Sequence, residues 1–265
     1  MTLYAHCDNI KKIVLCAGET IMKLNIMTFN VQHMRNYNFK NEDRIDFDTF
    51  ASYIAGKNPD IIGLNEMRGK GDSPVYEDQV GIVGGKAGYE HTFFAPAILM
   101  GGSNPYGNAM MSHYPFTAEN ITIPDPTEEE KSIEKGWYET RCVIKSDFSF
   151  EGRVLTVVAT HFGLNPSEAR HAVETVCKIA DATENPIVLM GDFNLTPDSP
   201  MLAPIRERFE DSEPLLGEGE QYTFPSDKPE MKIDYIFTRG VRVVSAHINN
   251  DVVSDHCSIQ AEIEF

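Results

Sequence analysis

Pro186-Ile187-Val188-Leu189-Met190-Gly191-Asp192-Phe193-Asn194-Leu195-Thr196-Pro197 begins as an apolar run and turns abruptly polar. Ile187 to Met190 fit a short strand buried on both faces. Gly191, with no Cβ to clash, allows a sharp turn next. Asp192 and Asn194 are two apart, and in extended chain such side chains face one side. The strand thus ends by presenting a carboxylate beside a carboxamide. That pair can orient a water and donate to an anionic oxygen. It equally describes a strand followed by an Asx-turn. The rest of the chain decides between the two.

At 265 residues the chain can form one large domain with a sizeable core, or two small ones. With 42% hydrophobic and 24% charged residues its composition is that of an ordinary globular protein. The net charge of −17 opposes binding along nucleic acid, which needs many cations against phosphates. A nuclease is not excluded, because carboxylates gathered around a divalent cation add to the negative count. The five cysteines (Cys7, Cys16, Cys142, Cys177, Cys257) are scattered, without zinc-site or disulfide-framework spacing, which fits reduced thiols. No apolar run reaches membrane-spanning length, and the one after Lys11-Lys12 is too short for a signal peptide. We expect a cytoplasmic protein with no membrane or protein partner. Residues 1–21 have weak periodicity and read as a dispensable extension, with the functional domain over 22–265.

Along the chain, Leu24 to Phe29 reads as a buried strand running into Asn30. Residues 42–55 carry Ile45, Phe50, Tyr53 and Ile54 at helical spacing, with Gly56 at the C-terminus. Ile61 to Leu64 is a strand that ends in Asn65 and Glu66. The glycine-rich stretch from Arg68 to Asn108 reads as loops around strands near Glu90–Ala95 and Asn108–Ser112. Pro124 to Lys135 is acidic and reads as an exposed excursion. Thr140–Phe150 and Arg153–Ala159 form a hairpin about Glu151-Gly152, the second strand running on to His161. A helix over 167–183 follows, with Asn165 as N-cap and Pro166 at its first position. After Pro200 comes a short helix, then a strand Ile233–Phe237 with Asp234 inside it. The terminal strand Ser258–Phe265 follows Ser254-Asp255-His256.

Strand, polar terminus, helix, strand and acid occur twice, once through Asn30 to Glu66 and once through His161 to Asp192. Two such halves suggest two sheets packed face to face with helices outside, in one α/β domain. Polar groups close five strand ends, at Asn30, Glu66, His161, Asp192 with Asn194, and Asp255 with His256. Asp234 adds a carboxylate too costly to bury unpaired. Groups beyond strand ends converge on one cleft in α/β folds.

The ordered set Phe29-Asn30, Leu64-Asn-Glu66, Tyr106-Gly-Asn-Ala, Thr160-His161, Gly191-Asp-Phe-Asn194, Ile233-Asp-Tyr235 and Ser254-Asp-His256 resembles the endonuclease/exonuclease/phosphatase superfamily over Met22 to Phe265. The resemblance implies a four-layer α/β sandwich (α+β by some schemes), two packed mixed sheets flanked by helices, and a metal-dependent phosphoesterase related to pancreatic deoxyribonuclease. Glu66 would be the principal Mg²⁺ or Mn²⁺ ligand, with Asn30 and Asp255 nearby. Asp192 would activate the attacking water. Asn194 and His161 would bind phosphate oxygens. His256 would be the acid/base group, oriented by Asp234. Arg141 stands where the family often carries an arginine near the cleft, and is equally readable as an exposed strand residue. Asn165 is a candidate substrate contact and is equally explained by its capping role. The other histidines read as structural or surface, His33 least securely. Trp137-Tyr138 reads as core packing or a loop anchor rather than a cleft rim.

The expected reaction is hydrolysis of a small or soluble phosphodiester or phosphomonoester, with a DNA or RNA nuclease as the runner-up. A dimetal enzyme of calcineurin type would need an Asp-x-His and a Gly-Asn-His-Glu type motif, neither of which is present. A silent binding protein on the same scaffold is the non-enzymatic alternative.

Overall fold

The computed structural model describes residues 12–14, 20–42, 44–217 and 221–265. Each half of the chain contains a strand–helix–strand unit. In the first, β2 (Thr20–Asn30) leads through α1 (Phe47–Lys57) to β3 (Ile61–Arg68), and the strands pair in parallel with Asn30 opposite Asn65. In the second, β8 (Arg153–His161) leads through α4 (Pro166–Asp181) to β9 (Ile187–Asp192), again parallel, with His161 opposite Asp192. A short β1 (Lys12–Val14) pairs with the start of β2. The remaining residues of the expected 1–21 extension, apart from Thr20 and Ile21 in β2, lie outside the described residues.

Antiparallel strands extend each unit on both sides. The first sheet runs β12 (Arg242–Asn249), β13 (Ser258–Glu264), β2, β3, β5 (Asn104–Ser112), β4 (His91–Met100). The second runs β10 (Glu210–Asp211), β11 (Asp234–Arg239), β9, β8, β7 (Cys142–Phe150), β6 (Phe116–Thr122). Both sheets are mixed, each with one parallel pairing among antiparallel ones.

Side-chain alternation explains the layers. Val188 and Met190 of β9 join the cluster between the sheets, with Leu24, Ile26, Val157 and Ile259. Ile187 and Leu189 point the other way, against Ala172, Val176 and Ala180 of α4. Met27 and Phe29 of β2 likewise turn outward onto Phe50 and Ile54 of α1 and Val80 of α2 (Gln79–Ala87). A strand with apolar residues on both faces must be covered twice, and this makes four layers. The sheets approach closely at Gly63: a Cβ there would lie 2.9 Å from Met190 Cε and 3.0 Å from Ala159 Cβ.

Several local expectations are corrected. The Arg68–Asn108 stretch contains α2, which its glycines disguise. Its ends are fixed by Asp78, which accepts from Gly81 N, and by the left-handed Gly88, while Val80 and Val83 are buried. The acidic excursion contains α3 (Glu128–Glu134), because carboxylates in a first turn favour a helix N-terminus and Thr127 and Glu130 form a capping box. Helix α1 begins at Phe47 and runs past Gly56 to a left-handed Asn58. Gly191 does not turn the chain but lies within β9. Its φ is +149°, and a Cβ would sit 1.9 Å from Thr160 O on the neighbouring strand. Asp234 opens β11 rather than lying inside it, opposite Asp192.

Candidate active site

Parallel strands β2 and β3 and parallel strands β8 and β9 bring their C-terminal ends to one edge of the sandwich. The antiparallel β11 and β13 bring their beginnings to the same edge, which is how Asp234 and Asp255-His256 join the group. Glu66 is set differently. It lies within β3 at a register shift between Leu64 and Met67, with φ of +61°. A non-glycine residue held left-handed is strained, and such strain persists where surrounding structure fixes it. Asn194, just beyond β9, is also left-handed at +50°.

Asn30 and Asp192 tie the centre together. Asn30 Nδ2 donates to Glu66 Oε1 at 3.1 Å and to Asp192 Oδ2 at 3.0 Å. Asp192 Oδ1 accepts from the backbone N–H of Asn194 at 2.9 Å. His161 Nε2 and His256 Nε2 lie 3.5 and 3.6 Å from Asp192 Oδ2. His256 Nδ1 is 2.9 Å from Asp234 Oδ2, and Asp234 N donates to Thr223 Oγ1. Asp192, Asp234, His161 and His256 are all buried.

Burial acts first on each titrating group, and its neighbours then separate them. Burial raises the Asp192 carboxyl to about 7, with His256 opposing the rise and Asp234 adding to it. Burial alone would lower His256, but Asp234 and then Asp192 outweigh it and lift it to about 10. His161 goes the other way: burial, Arg141 and His256 all drive it well below its ordinary 6.5. Its tautomer follows from its partners. Arg141 Nη1, 3.1 Å from Nδ1, can only donate, so Nδ1 accepts and the proton resides on Nε2, on the Asp192 side. Asn194 Nδ2 lies 3.3 Å from that nitrogen and donates to Phe162 O at 3.0 Å. Arg141 is therefore a partner of the centre, shared with Glu139 at 3.1 Å.

The second cluster is oxygen-rich. Glu66 Oε2 accepts from Tyr106 OH at 2.8 Å. Asp255 Oδ2 accepts from Gln32 Nε2 at 2.8 Å, and Asn30 Oδ1 from Gln32 N at 3.1 Å. Burial raises the Asp255 carboxyl; His256 opposes this and Glu66 adds to it. Carboxylates crowded in this way, with the buried Gln32 Oε1 lacking any partner, present hard oxygen donors in need of a cation. The set Glu66, Asp255 and Asn30 fits Mg²⁺ or Mn²⁺. Asp192, Asp234 and His256 also converge closely enough to be ligands. The hydrogen bond between His256 Nδ1 and Asp234 Oδ2 suits proton handling better.

Four contributors had no role assigned from sequence: Asn65, Gln32, Tyr106 and Thr223. Asn65 spans the two sheets: its Nδ2 donates to Asn108 Oδ1 and to Thr160 O, both at 2.9 Å, and its Oδ1 accepts from Asp192 N at 3.2 Å. The alternation rule carries a signal for it, since adjacent strand residues Asn65 and Glu66 cannot share a face. Asn165, in contrast, is occupied at the start of α4. Its Nδ2 donates to Trp137 O and Glu168 Oε2, both at 2.6 Å, and its backbone N–H to Glu168 Oε2 at 3.1 Å. His33 places its ring 6.5 Å from that of Tyr106.

A two-sheet α/β sandwich whose strand edges gather carboxylates, carboxamides and histidines defines the class. Within it, the chain belongs to the Endonuclease/Exonuclease/phosphatase family, whose model matches residues 27–256. That family consists largely of hydrolases acting on phosphoesters. The fold is similar to an endonuclease/exonuclease/phosphatase from Beutenbergia cavernae (TM-score 0.73, 23% identity, 92% of this chain and 72% of that one). It is similar to a mannosyl-6-phosphatase from Bacteroides thetaiotaomicron (0.71, 15%, 91% and 100%). TDP2 of D. rerio, in complex with a single-strand DNA product, is also similar (0.64, 19%, 91% and 98%). No curated protein matches the chain in sequence. Among the described residues no helix is long and apolar enough to cross a membrane.

Proposed function

We propose that the protein is a divalent-metal-dependent phosphoesterase in which water attacks phosphorus. The observation that carries this reading is the position of Asp192: one oxygen bonded to Asn30, on the Glu66 side, and within 3.6 Å of both His161 and His256. Glu66, Asn30 and Asp255 would hold the cation. When bound, it would supply positive charge against the phosphoryl oxygens and the leaving group.

Asp192, raised to about 7, is ionised often enough at neutral pH to take a proton from water and basic enough to hold it. His256, protonated near neutral pH, places positive charge at the reacting phosphoryl group, and Asp234 keeps its Nδ1 proton in place. Neutral His161, with its proton on Nε2, and the Asn194 amide donate to non-bridging oxygens. Arg141 fixes the His161 tautomer.

The net charge of −17 favours a small or soluble phosphate ester over long duplex DNA. The structural neighbours include a named phosphatase and a protein bound to a DNA product, so a nuclease is the second reading. Hydrolysis of bis(p-nitrophenyl) phosphate and p-nitrophenyl phosphate, with Mg²⁺ or Mn²⁺ and with EDTA, tests the proposal. EDTA-sensitive release that Asp192→Asn lacks is the expected result. Release that persists in EDTA or in that variant would remove the mechanism. Efficient Mg²⁺-dependent cleavage of plasmid DNA at physiological salt would put the nuclease first.

A further inference from the structure

The chain has a single tryptophan, and Trp137 is 81% exposed. Leu164 is 73% exposed and Ile133 72%. These are the three most exposed large apolar side chains among the described residues, and all three lie on segments that meet at the start of α4. Tyr138 is the loop anchor, its hydroxyl donating to Glu134 Oε2, whereas the indole beside it is turned to solvent.

The backbone beneath Trp137 is nonetheless tethered. Its carbonyl accepts from Asn165 Nδ2 at 2.6 Å. Gly136 lies so close that a Cβ there would meet Asn165 Oδ1 at 1.9 Å. Glu134 accepts from Ser167 N at 2.9 Å and Ser167 Oγ at 2.7 Å. A large apolar side chain on a fixed backbone, turned to solvent, marks a contact surface rather than a loose loop.

The same segment leads into the catalytic centre. Glu139 N donates to Glu168 Oε1 at 3.0 Å, and Arg141 joins Glu139 to His161. Leu164 is three residues from His161, so their Cα atoms are at most about 11 Å apart.

We infer that Trp137 and Leu164, with Ile133, form an apolar platform on the His161 side of the site that takes the organic group of the phosphoester and selects esters with an aromatic or other flat apolar face. This rests on the phosphoesterase reading and deepens it. Glu128, Glu129 and Glu130 open the adjoining α3, so an anionic membrane or a polyanion, with many charges, is repelled from this rim far more than a small ester with one or two.

Because Trp137 is the sole tryptophan, intrinsic fluorescence reads the platform directly. Asp192→Asn protein with Mg²⁺ is titrated with phenyl and diphenyl phosphate and with their methyl counterparts. A saturable emission change with the aryl esters, and binding of the methyl esters about 5- to 10-fold weaker, is expected from ring stacking. In turnover, Trp137→Ala should raise KM for aryl esters by a similar factor with kcat little changed, leave methyl esters within twofold, and be largely rescued by Trp137→Phe. Emission unmoved by aryl esters would overturn the platform, as would equal effects of Trp137→Ala on both ester series. So would emission that responds to phosphatidylcholine vesicles but not to aryl esters. If the wild type hydrolyses no ester, the phosphoesterase reading fails, and the fluorescence titration still decides the platform.

Discussion

Asp234 Oδ2 and His256 Nδ1 lie 2.9 Å apart, both buried, joining the first residue of β11 in one sheet to the loop before β13 in the other. The contact keeps a proton on a histidine whose burial would otherwise expel it.

That relationship predicts how stability follows pH in metal-free protein. A folded-state pKa of about 10 means protonated His256 stabilises the fold fully below its ordinary 6.5, and the contribution is lost as pH rises through 10. Asp192, raised to about 7 from 3.8, contributes below 3.8 and loses its contribution as pH rises through 7. Both terms lower stability from acid to alkaline pH. Thermal melts in EDTA should give a Tm that falls between pH 6 and pH 9, and Asp234→Asn should flatten that slope. The His256 imidazole resonance should then titrate below the wild-type value.

Asp192→Asn should lower kcat by about 10²-fold or more if the carboxylate is the base. It also removes a buried charge that faces Asp234, so Tm should stay level or rise. Loss of activity accompanied by a large drop in Tm would point instead to a structural role.

Glu66→Gln should abolish measurable Mg²⁺ or Mn²⁺ binding in calorimetry. Tyr106→Phe removes only the hydrogen bond that orients that carboxylate. It should weaken metal binding by about 10-fold, the usual scale for a ligand's supporting partner.

Asn65→Ala would strip partners from Asn108, Thr160 O and Asp192 N at once. Unsatisfied buried groups cost about 1–3 kcal/mol each, so a destabilisation of about 3 kcal/mol or more is expected in chemical denaturation. Turnover should fall as well, because Asp192 loses its backbone anchor.

Two glycines should behave oppositely. At Gly56, inside α1, a Cβ meets nothing within 4 Å, and Gly56→Ala should stabilise by about 0.5–1 kcal/mol. At Gly191 a Cβ would strike the Thr160 carbonyl, and Gly191→Ala should cost about 4 kcal/mol or leave the protein insoluble.

Much of this centre is legible in residue order, because strand ends in an α/β fold converge whatever the loops between them do. Asn30, His161 and Asp192 need only the knowledge that they close buried strands. Asp234 betrays itself as a charge against an apolar run. What sequence conceals are relationships between the sheets. Asn65 crosses to Thr160 and Asp192, and no pattern within β3 names those partners. Gln32 reaches Asp255 from a run of residues, Gln32 to Met34, whose positive φ values tertiary contacts impose against local preference. Helix α2 hides for a related reason: its glycines argue against a helix until Val80 and Val83 find the outer face of the first sheet. Asn165 is the opposite case, a polar residue four positions after His161 whose capping duties account for its contacts.

The two strand–helix–strand units divide the clustered polar groups, Asn30 and Glu66 in one and His161 and Asp192 in the other, while Asp234, Asp255 and His256 join from later in the chain. A refolding chain could therefore recover nearly all its helix and sheet signal while still inert, since neither half owns a complete set. Regain of turnover times the final docking of the sheets rather than their formation. Its lag behind far-ultraviolet ellipticity would measure how long the halves exist before Asn65 stitches them together.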